Sequence, residues 1–484
     1  MSDLAQPDAF RLGRLCLARL PPATLHLEAG TRRPQTVPVE LAAAVTDDYG
    51  VDLEFDSLDL MLEILEADTL EPPSGVTLQL EGSLSRSSKP STSATFAFMP
   101  VRGPFHTLKG SLTFMPPAPS SGTRAVRPLC FRLSVSPDSR RRSPSIEPAS
   151  ASAAEIRALI GEPSQATTST WDDKSYVFMS VTSGPMHVDF GRGEPGKAGA
   201  VSQEKVQTAI RLIHLRPPPS PSPLTTAIAL DPAPAPIPPR PITVIERPGL
   251  NNSTGQRLWD CAIGMSCFLS LHPYALDPSQ ALSTLGPAGR SSIAAPDRRR
   301  PVRKAPSPVR IVELGAGCAL ASQYAAHLLR SIGNTDAAVV ATDVEATVDS
   351  TLRENLAANA GDLLTRLEDV PVHDEVLDWG KLAPGQGNAL LAPQVTLLGT
   401  DILYNPSSHS LLLETLLYVL RPALPSPPSD ASSSFDDANL ARRALIAYKR
   451  RTDGDDGFFE LARRAGLGVR RVWEWGEVSV WAFE

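Results

Sequence analysis

The chain has 484 residues and a formal net charge of −7, so its composition gives no electrostatic sign of nucleic-acid binding. Its apolar runs are too short for a transmembrane helix, and its first residues lack the pattern of a secretory leader, so we expect neither a membrane span nor a signal peptide. The five cysteines show no C-x-x-C and no metal-ligand spacing, which predicts reduced, buried thiols in a cytosolic type of protein and no metal site.

Residues 1–215 predict a β-rich region with flexible breaks. Apolar and polar residues alternate strictly, as in half-buried strands, at 76–81, 94–98 and 131–135. Residues 51–66 begin like a strand and continue like a helix. Ser/Pro/Arg-rich stretches such as 136–151 separate these elements. The strands could form a small β-domain of their own or extend the main sheet.

Residues 217–240 contain ten prolines, which predict a semi-rigid linker at 216–241 before a second domain at 242–484. That domain starts with a short strand at 241–246, and Thr254 and Gly255 then open a helix-like segment. Polar insertions are predicted at 286–308 and 421–440. A solvated loop is the simplest interpretation of the basic first insertion, and contact with RNA or a ribosomal surface is the alternative.

A strand, a glycine turn and a helix follow one another at 309–329. The apolar, β-branched run at 309–314 predicts a buried parallel strand, and Gly315, Ala316 and Gly317 interrupt it before apolar residues resume at helical spacing. This order places backbone N–H groups and a helix N-terminus at the carboxyl edge of a sheet, where carboxylates and phosphates bind. An ordinary strand-to-helix turn has the same pattern.

Alternating strands and helices continue to the end of the chain. Further strands are predicted at 337–342, around 370, and at 394–399, 444–448, 469–475 and 478–483, with helices at 348–359, 409–420 and 455–465. Such alternation predicts an α/β fold with a parallel sheet, in which a C-terminal hairpin makes one strand antiparallel.

Asp343 ends the second strand of this series. A carboxylate there can accept hydrogen bonds from both hydroxyls of a ribose that lies across the sheet edge. The pattern fits NAD as well as S-adenosylmethionine. Two details favour S-adenosylmethionine: Leu320 replaces the third glycine of G-x-G-x-x-G, and a large helix precedes the strand with which a dinucleotide fold normally begins.

Five motifs in this order resemble the seven-β-strand protein-lysine methyltransferases, whose hallmark is a D-x-x-Y signature. The motifs are LW at 258–259, ELGAG at 313–317, TD at 342–343, LDWG at 377–380 and DILY at 401–404. The resemblance covers about 242–484 and implies a seven-stranded Rossmann-like sheet with helices on both faces. The NSTGQRLW of 252–259, the LDW and the long N-terminal region look most like the fungal ribosomal-lysine methyltransferases.

The resemblance implies S-adenosyl-L-methionine as cofactor and assigns residues to it. The glycine turn would approach the methionine part, while other residues would hold the ribose, flank the adenine, close over the cofactor and line its floor: Gly315, Ala316 and Gly317, then Asp343, Trp379, Trp259 and Thr400. Core packing is the simpler role for an isolated tryptophan, but both tryptophans lie next to the predicted cofactor edge. The family usually has glycine at the position of Ala319, so this alanine predicts a slightly crowded turn.

The resemblance also implies catalytic roles for Asp401 and Tyr404. A free lysine has a pKa of about 10.4, so its deprotonation at pH 7 costs about 4.6 kcal/mol. Burial in an apolar channel and an adjacent sulfonium cation both lower that pKa. Asp401 would accept a hydrogen bond from the amine and aim its lone pair, and Tyr404 would shape the channel. A cap for the following turn is the alternative role for Asp401.

The expected function is therefore S-adenosylmethionine-dependent methylation of a lysine ε-amine in a protein, with a ribosomal or other translation protein as a candidate substrate. We expect a cytoplasmic monomer, with the nucleus left open, and no membrane or specific nucleic acid as partner. One alternative is methylation of a small-molecule amine or a histidine on the same scaffold. The other is a catalytically idle module that binds cofactor and docks through its N-terminal half; Asp401 and Tyr404 argue against it, and Ala319 argues mildly for it.

Overall fold

The computed structural model describes residues 10–19, 21–28, 32–53, 58–84, 91–99, 105–115, 127–136, 170–171, 174–191, 208–213, 241–247, 254–280, 282, 308–332, 334, 336–360, 370–379, 390, 392–421, 441–452 and 454–484. All structural statements below refer to these residues. Nearly all of the predicted break at 136–151, of the linker at 216–241 and of the insertions at 286–308 and 421–440 lies outside them.

The chain divides into two compact units. The first comprises residues 1–158, 162–212 and 245–252, and the second comprises residues 159–161, 213–244 and 253–484. Strands β1 to β14 are Phe10–Arg19, Thr24–Glu28, Gln35–Thr46, Leu58–Glu66, Val76–Leu80, Ser93–Phe98, His106–Phe114, Leu129–Val135, Thr170–Trp171, Lys174–Met179, Val181–Ser183, His187–Gly191, Ala209–Ile213 and Ile242–Glu246.

These strands form three sheets of their own. Two sheets have six strands each, in the orders β5-β7-β3-β1-β10-β9 and β14-β13-β11-β8-β4-β6, and β12 pairs with β2 in a third. Their alternating apolar residues, which include Leu15, Leu41, Leu62 and Phe131, pack in one buried cluster. The ambiguous stretch at 51–66 contains strand β4, which pairs antiparallel with β6 and β8. Non-local pairing therefore decides this stretch against a helix.

Strand β14 lies at the predicted start of the second domain. In the structure it forms the edge of a six-stranded sheet, next to β13. The carboxylate of Glu246, at its end, is buried and contacts Arg211 at 2.5 Å and Arg14 at 3.5 Å. A buried carboxylate requires such partners, and strands β1 and β13 supply them.

The second unit is built on a seven-stranded sheet. Strands β15 to β21 are Val309–Leu314, Ala338–Asp343, Val372–Val376, Gln394–Thr400, Ala441–Lys449, Val469–Trp475 and Val478–Phe483. Their order in the sheet is β17-β16-β15-β18-β19-β21-β20. The first five strands of this order run parallel, and β21 is antiparallel to β19 and β20. The predicted α/β class is confirmed.

The helices of this unit are α1 to α5, at Asp260–Leu271, Leu320–Ser331, Arg353–Ala360, His409–Leu420 and Gly457–Arg464. A short helix at Glu345–Thr347 and a π-helical turn at Val348–Leu352 lead into α3, and 3-10 turns lie at Thr254–Gln256, Pro273–Leu276 and Pro406–Ser408. Nearly every residue of α1 is buried. None of the described helices is long and apolar enough to cross a membrane. All five cysteines are free thiols, four of them buried and Cys16 half-buried.

Candidate functional site

The site lies where three parallel strands end together. Leu314 of β15 is in register with Thr342 of β16 on one side and with Gly399 of β18 on the other. The next residues along each strand, Gly315, Asp343 and Thr400, therefore lie at one edge of the sheet. The predicted cofactor residues come together because this edge is where parallel strands place the segments that follow them.

The glycine turn needs its glycines. Gly315 and Gly317 have φ angles of +63° and +51°, in the left-handed region that side chains disfavour. A Cβ atom at Gly315 would lie 2.9 Å from Cγ2 of Ile402, and one at Gly317 would lie 3.1 Å from the carbonyl oxygen of Gly255. The turn thus packs against both the D-x-x-Y segment and the segment that precedes α1. Ala316, between the two glycines, donates its N–H to the carbonyl of Thr342 at 2.9 Å.

Ala319 is the residue before α2 and has a φ of +56°. An alanine in the left-handed region is strained relative to glycine. Its methyl group is fully buried, in a small apolar cluster with Ala316, Ala341, Val348 and Leu352. Burial of that methyl group offsets part of the backbone strain, so the alanine is accommodated at this position.

Asp343 is tied to the glycine turn. Its Oδ2 accepts a hydrogen bond from the N–H of Gly317 at 2.9 Å, and its Oδ1 accepts one from the N–H of Val344 at 2.8 Å. Desolvation raises the pKa of Asp343, and these bonds, with one from the Thr347 hydroxyl, partly oppose that rise. A carboxylate has about four lone-pair positions. With three in use, about one remains for a ligand hydroxyl rather than the two that the sequence suggested.

Trp379 borders the same edge. The N–H of Leu377 donates to the carbonyl of Asp343 at 2.9 Å, which fixes the segment that carries the tryptophan. The ring carbon Cζ2 of Trp379 lies 3.4 Å from the position that a Cβ atom on Gly315 would occupy. The half-buried ring also packs against the main apolar core of this unit. Trp379 therefore combines a packing role with a position at the glycine turn.

Glu313 organises the turn from below and was not assigned a role from the sequence. It is fully buried, and its Oε2 accepts hydrogen bonds from the N–H and the hydroxyl of Ser322 at 2.9 and 2.5 Å. The Ser322 N–H belongs to the first turn of α2, where N–H groups have no acceptor within the helix. The hydroxyl of Thr400, predicted to line the cofactor floor, donates to Oε1 of Glu313 at 3.5 Å. Burial raises the pKa of Glu313 to about 7.

Asp401, the first residue of D-x-x-Y, is paired with a residue that the sequence did not indicate. Its carboxylate and the guanidinium of Arg451 form a two-bonded pair, Nη2 to Oδ2 at 2.5 Å and Nε to Oδ1 at 3.2 Å. The two side chains are 6% and 4% exposed. Asp401 has a φ of +57°, and its N–H donates to the carbonyl of Ala447 at 3.0 Å. The pair is thus buried and geometrically fixed.

The loop that carries Arg451 is ordered by a second carboxylate. Asp455 is fully buried, and its Oδ2 accepts hydrogen bonds from the N–H groups of Arg451 and Thr452 at 2.8 and 2.9 Å. Its Oδ1 accepts one from the Thr452 hydroxyl at 2.5 Å. The backbone of Arg451 is therefore held independently of its side chain.

A series of contacts through Arg451, Trp259 and Thr254 joins Asp401 to Tyr404. The Cζ atom of Arg451 lies 5.1 Å from the centroid of the Trp259 ring, and Nε1 of Trp259 donates to the carbonyl of Thr254 at 2.9 Å. The Thr254 hydroxyl lies 3.1 Å from the hydroxyl of Tyr404. The ring of Tyr404 is 44% exposed, whereas Asp401 is buried. The two predicted catalytic residues thus occupy a buried and an open position of one turn.

Arg451 could have been found from the predicted strands. It lies two residues after β19, whereas Asp401 directly follows β18, and neighbouring parallel strands place the segments after them at the same edge. Thr254 and Glu313 lie within motifs that the sequence identified, but their hydrogen bonds depend on packing between elements. In the described part of the chain, the site thus brings together every residue that was predicted from the sequence and adds Arg451, Thr254, Glu313 and Asp455.

The residues present fit an adenosine-containing sulfonium cofactor. The edge offers a fixed carboxylate with remaining acceptor capacity in Asp343, an aromatic ring in Trp379 and a close backbone turn at Gly315. Asp343 suits a ribose hydroxyl, and Trp379 suits a purine ring. The charge of Asp343 also complements a cationic ligand.

The comparisons with known proteins agree with this chemistry. Residues 240–465, just under half of the chain, match a family model described as "Lysine methyltransferase". No curated protein matches the chain.

Three solved structures resemble the chain only weakly. They are the CMeT domain of the citrinin polyketide synthase (TM-score 0.23, 13% identity, 36% of this chain and 46% of that one), M. capricolum TrmK in complex with S-adenosyl-homocysteine (0.21, 12%, 37% and 63%) and the DszA carbon methyltransferase (0.24, 13%, 46% and 65%). The chain spans about half to two-thirds of these proteins.

The family model covers the strands that form the site, and the site offers the groups that the cofactor requires. Residues 240–465 are therefore similar to lysine methyltransferases, and the residues of the site fit S-adenosylmethionine as cofactor.

Proposed function

We propose that this domain transfers the methyl group of S-adenosylmethionine to the ε-amine of a lysine in a protein. One observation carries the proposal: the D-x-x-Y turn packs directly against the glycine turn, since a Cβ atom on Gly315 would lie 2.9 Å from Ile402. The acceptor-side residues Asp401 and Tyr404 therefore adjoin the cofactor edge. The description of the matching family model supports lysine as the acceptor.

The chemistry divides between the cofactor and the chain. When bound, the cofactor supplies a methyl group on a positively charged sulfur, which leaves as a neutral thioether. The C–S bond breaks as the C–N bond forms, and the proton lost by the amine goes to water. The chain must present the amine in its neutral form, in line with the C–S bond, and exclude competing nucleophiles.

Asp401 is suited to orient the amine, because its carboxylate is buried beside the cofactor edge and the guanidinium of Arg451 holds it with one hydrogen bond to each oxygen. Tyr404 and Trp259 are joined through Thr254, and both would border the incoming lysine side chain. Alignment of this kind accelerates transfer by removing the cost of bringing the amine to the methyl carbon.

Among protein substrates we place a ribosomal or other translation protein first. This choice rests on the likeness of 252–259 and of 377–379 to the fungal ribosomal-lysine methyltransferases. Asn252 and Ser253 lie outside the described residues, and Thr254 is the first residue of that motif with a structural role in the site.

The proposal is tested by incubating the full chain with cofactor labelled in its methyl group and with fractionated cell extract. Labelled protein that yields N-methyl-lysine after acid hydrolysis is the expected result. Labelled methyl-histidine, or label only in small molecules, would contradict lysine as the acceptor. No transfer to any fraction, with cofactor binding intact, would favour the idle binding module.

A further inference from the structure

The buried pair of Asp401 and Arg451 bears on the protonation state of the acceptor, and the inference here rests on the proposed function. Asp401 adjoins the cofactor edge through Ile402, and Arg451 binds its carboxylate with two hydrogen bonds, at 2.5 and 3.2 Å. Both side chains are nearly inaccessible to water. The charges of this pair are therefore weakly screened.

A lone carboxylate would be a poor partner for methyl transfer at this position. An opposite charge within a few ångströms stabilises the ammonium form of a lysine and raises its pKa. The ammonium ion has no lone pair, so a carboxylate that binds it tightly opposes the reaction. A guanidinium already bound to that carboxylate cancels this effect. Each carboxylate oxygen of Asp401 accepts one hydrogen bond from the guanidinium, and a carboxylate oxygen has about two acceptor positions.

We propose that Arg451 neutralises Asp401 so that this carboxylate accepts a hydrogen bond from an uncharged amine instead of holding an ammonium ion. Arg451 is in this sense a positioning residue: it acts through Asp401 and through the ring of Trp259, over which its guanidinium lies at 5.1 Å. The backbone bond to Asp455 and the Trp259 ring keep it in place.

The other charged groups on the neighbouring segments already have partners. Lys449 binds Asp260 at 2.9 Å and Glu477 at 3.2 Å, and Arg450 contacts Asp456 at 3.5 Å. Asp455 accepts backbone bonds of its own loop. On the cofactor side, Glu313 is bonded to Ser322 and Thr400, and Asp343 is bonded to Gly317. Arg451 is therefore the cation that balances Asp401.

The test measures protons released when an amine enters the site of the full chain. Two analogues of S-adenosylhomocysteine serve as probes. In both, a CH group replaces the sulfur, and it carries an aminoethyl arm in one and a propyl arm in the other. Calorimetry in two buffers that differ in ionisation enthalpy gives the number of protons released at a pH of about 7.5. The difference in proton release between the two analogues reports on the amine alone, because the propyl arm has no titratable group.

For the native chain we expect the aminoethyl arm to bind with release of about one proton, since alkylammonium groups titrate near pH 10. Its affinity, relative to the propyl arm, should rise about tenfold for each pH unit between 7 and 9, as the neutral fraction does. Arg451→Gln should bind the arm as an ammonium ion, with release near zero and no rise with pH. Arg451→Lys keeps the charge and should keep the release.

Arg450→Gln is the matched control, because its side chain is exposed and adjacent in sequence. It should behave as the native chain does. A native chain that binds the amine without proton release, or with affinity independent of pH, would overturn the inference even if Arg451→Gln did not fold. Unchanged release in a folded Arg451→Gln would overturn it as well.

These outcomes are separate from the proposed function. If both analogues bind as expected but no protein is methylated, lysine methylation fails and the charge balance at Asp401 stands. If S-adenosylhomocysteine itself does not bind the native chain, both fail together.

Discussion

Asp343 has two tasks at the edge of the sheet. Its carboxylate fixes the glycine turn through the N–H of Gly317, and it keeps about one acceptor position for a ligand. A carboxylate with these contacts would couple the shape of the turn to a bound ribose. Loss of the carboxylate should therefore affect cofactor binding more than it affects the fold.

Asp343→Ala should reduce the affinity for S-adenosylhomocysteine about 10- to 150-fold, the scale of one hydrogen bond to a charged group. Calorimetry on the full chain measures it, with circular dichroism to confirm the fold. Asp349→Ala is the control, because Asp349 is exposed and contacts Arg353 one helical turn away. Equal affinity in the native chain and Asp343→Ala would place the nucleoside elsewhere.

The buried carboxyl group of Glu313 predicts a dependence of stability on pH. Burial raises its pKa from 4.5 to about 7, so between these values the folded chain holds a proton that the unfolded chain releases. The free energy of unfolding should therefore fall as pH rises through this interval, by about 3 kcal/mol. Glu313→Gln keeps an acceptor for Ser322 and should remove this fall.

The measurement is urea unfolding of both chains at pH values of about 5 and 8, following the transition that S-adenosylhomocysteine shifts. Asp343 also has a raised pKa and adds a fall of the same sign in both chains. The difference between the chains isolates Glu313. The same pH dependence in Glu313→Gln as in the native chain would contradict this prediction.

Single residues were predictable where a motif fixes their position relative to a strand end. Gly315 and Asp401 each follow a buried strand and Asp343 ends one, so their place at the edge follows from the strand pattern. Arg451 was missed because its partner depends on the order of β18 and β19 in the sheet and on rotamers. The hydrogen bonds of Glu313 were missed because an apolar strand gave no reason to expect a buried carboxylate in it.

The glycine turn illustrates how an element constrains its neighbours. Gly317 lies close to Gly255, and the Thr254–Gln256 segment carries the hydroxyl that meets Tyr404. A side chain at Gly317 would push on this segment as well as strain the turn. The glycine turn therefore connects the cofactor edge of the sheet with the segment on the acceptor side.

Gly317→Ala should lower the free energy of unfolding by about 1–2 kcal/mol, the cost of an alanine in the left-handed region. It should also weaken binding of S-adenosylhomocysteine, because the turn must move away from Gly255. Gly457→Ala is the matched change at the start of α5, where a Cβ atom meets nothing within 4 Å. It should be neutral or slightly stabilising. Thermal unfolding of both variants measures these changes. A Gly317→Ala variant as stable as the native chain would contradict the prediction.

A helix or strand was predictable from the sequence where residues close to it in the chain determine its structure. Helix α4 lies at 409–420, as its apolar spacing predicts, because each of its turns is specified by nearby residues. Strand β4 was ambiguous, because its acidic and apolar residues fit both a helix and a strand until β6 and β8 pair with it. The π-helical turn at Val348–Leu352 had no sequence signal that we can identify.

At the scale of the whole molecule, β14 pairs with β13 in a six-stranded sheet, and the division between the two units falls within β14, between residues 244 and 245. The sequence placed the boundary after the proline-rich stretch, since composition marks linkers but not strand partners. Glu246, Arg211 and Arg14 form a buried charged group within the first unit. This group allows the stability of that unit to be changed without touching the cofactor site.

Glu246→Gln should lower the free energy of unfolding of the first unit by about 3–5 kcal/mol, as expected when one partner of a buried ion pair is removed. Affinity for S-adenosylhomocysteine should stay within about threefold of the native value. Glu40→Gln breaks an exposed pair with Arg19 and should cost less than about 1 kcal/mol. Calorimetry and chemical unfolding check both variants, and loss of cofactor binding in Glu246→Gln would show that the first unit contributes to the site.

The central claim is that one sheet edge divides its work between cofactor residues and the acceptor residue Asp401. Asp401→Ala tests it most directly, by measuring S-adenosylhomocysteine binding and labelled methyl transfer on the same preparation. We expect binding within a few-fold of the native chain and transfer reduced about 100-fold or more, the scale of a lost orienting group. Asp401→Asn keeps an acceptor oxygen for Arg451, and circular dichroism on both variants confirms the fold. If a folded Asp401→Ala retained near-native transfer, Asp401 would be only a turn residue and would not orient the acceptor.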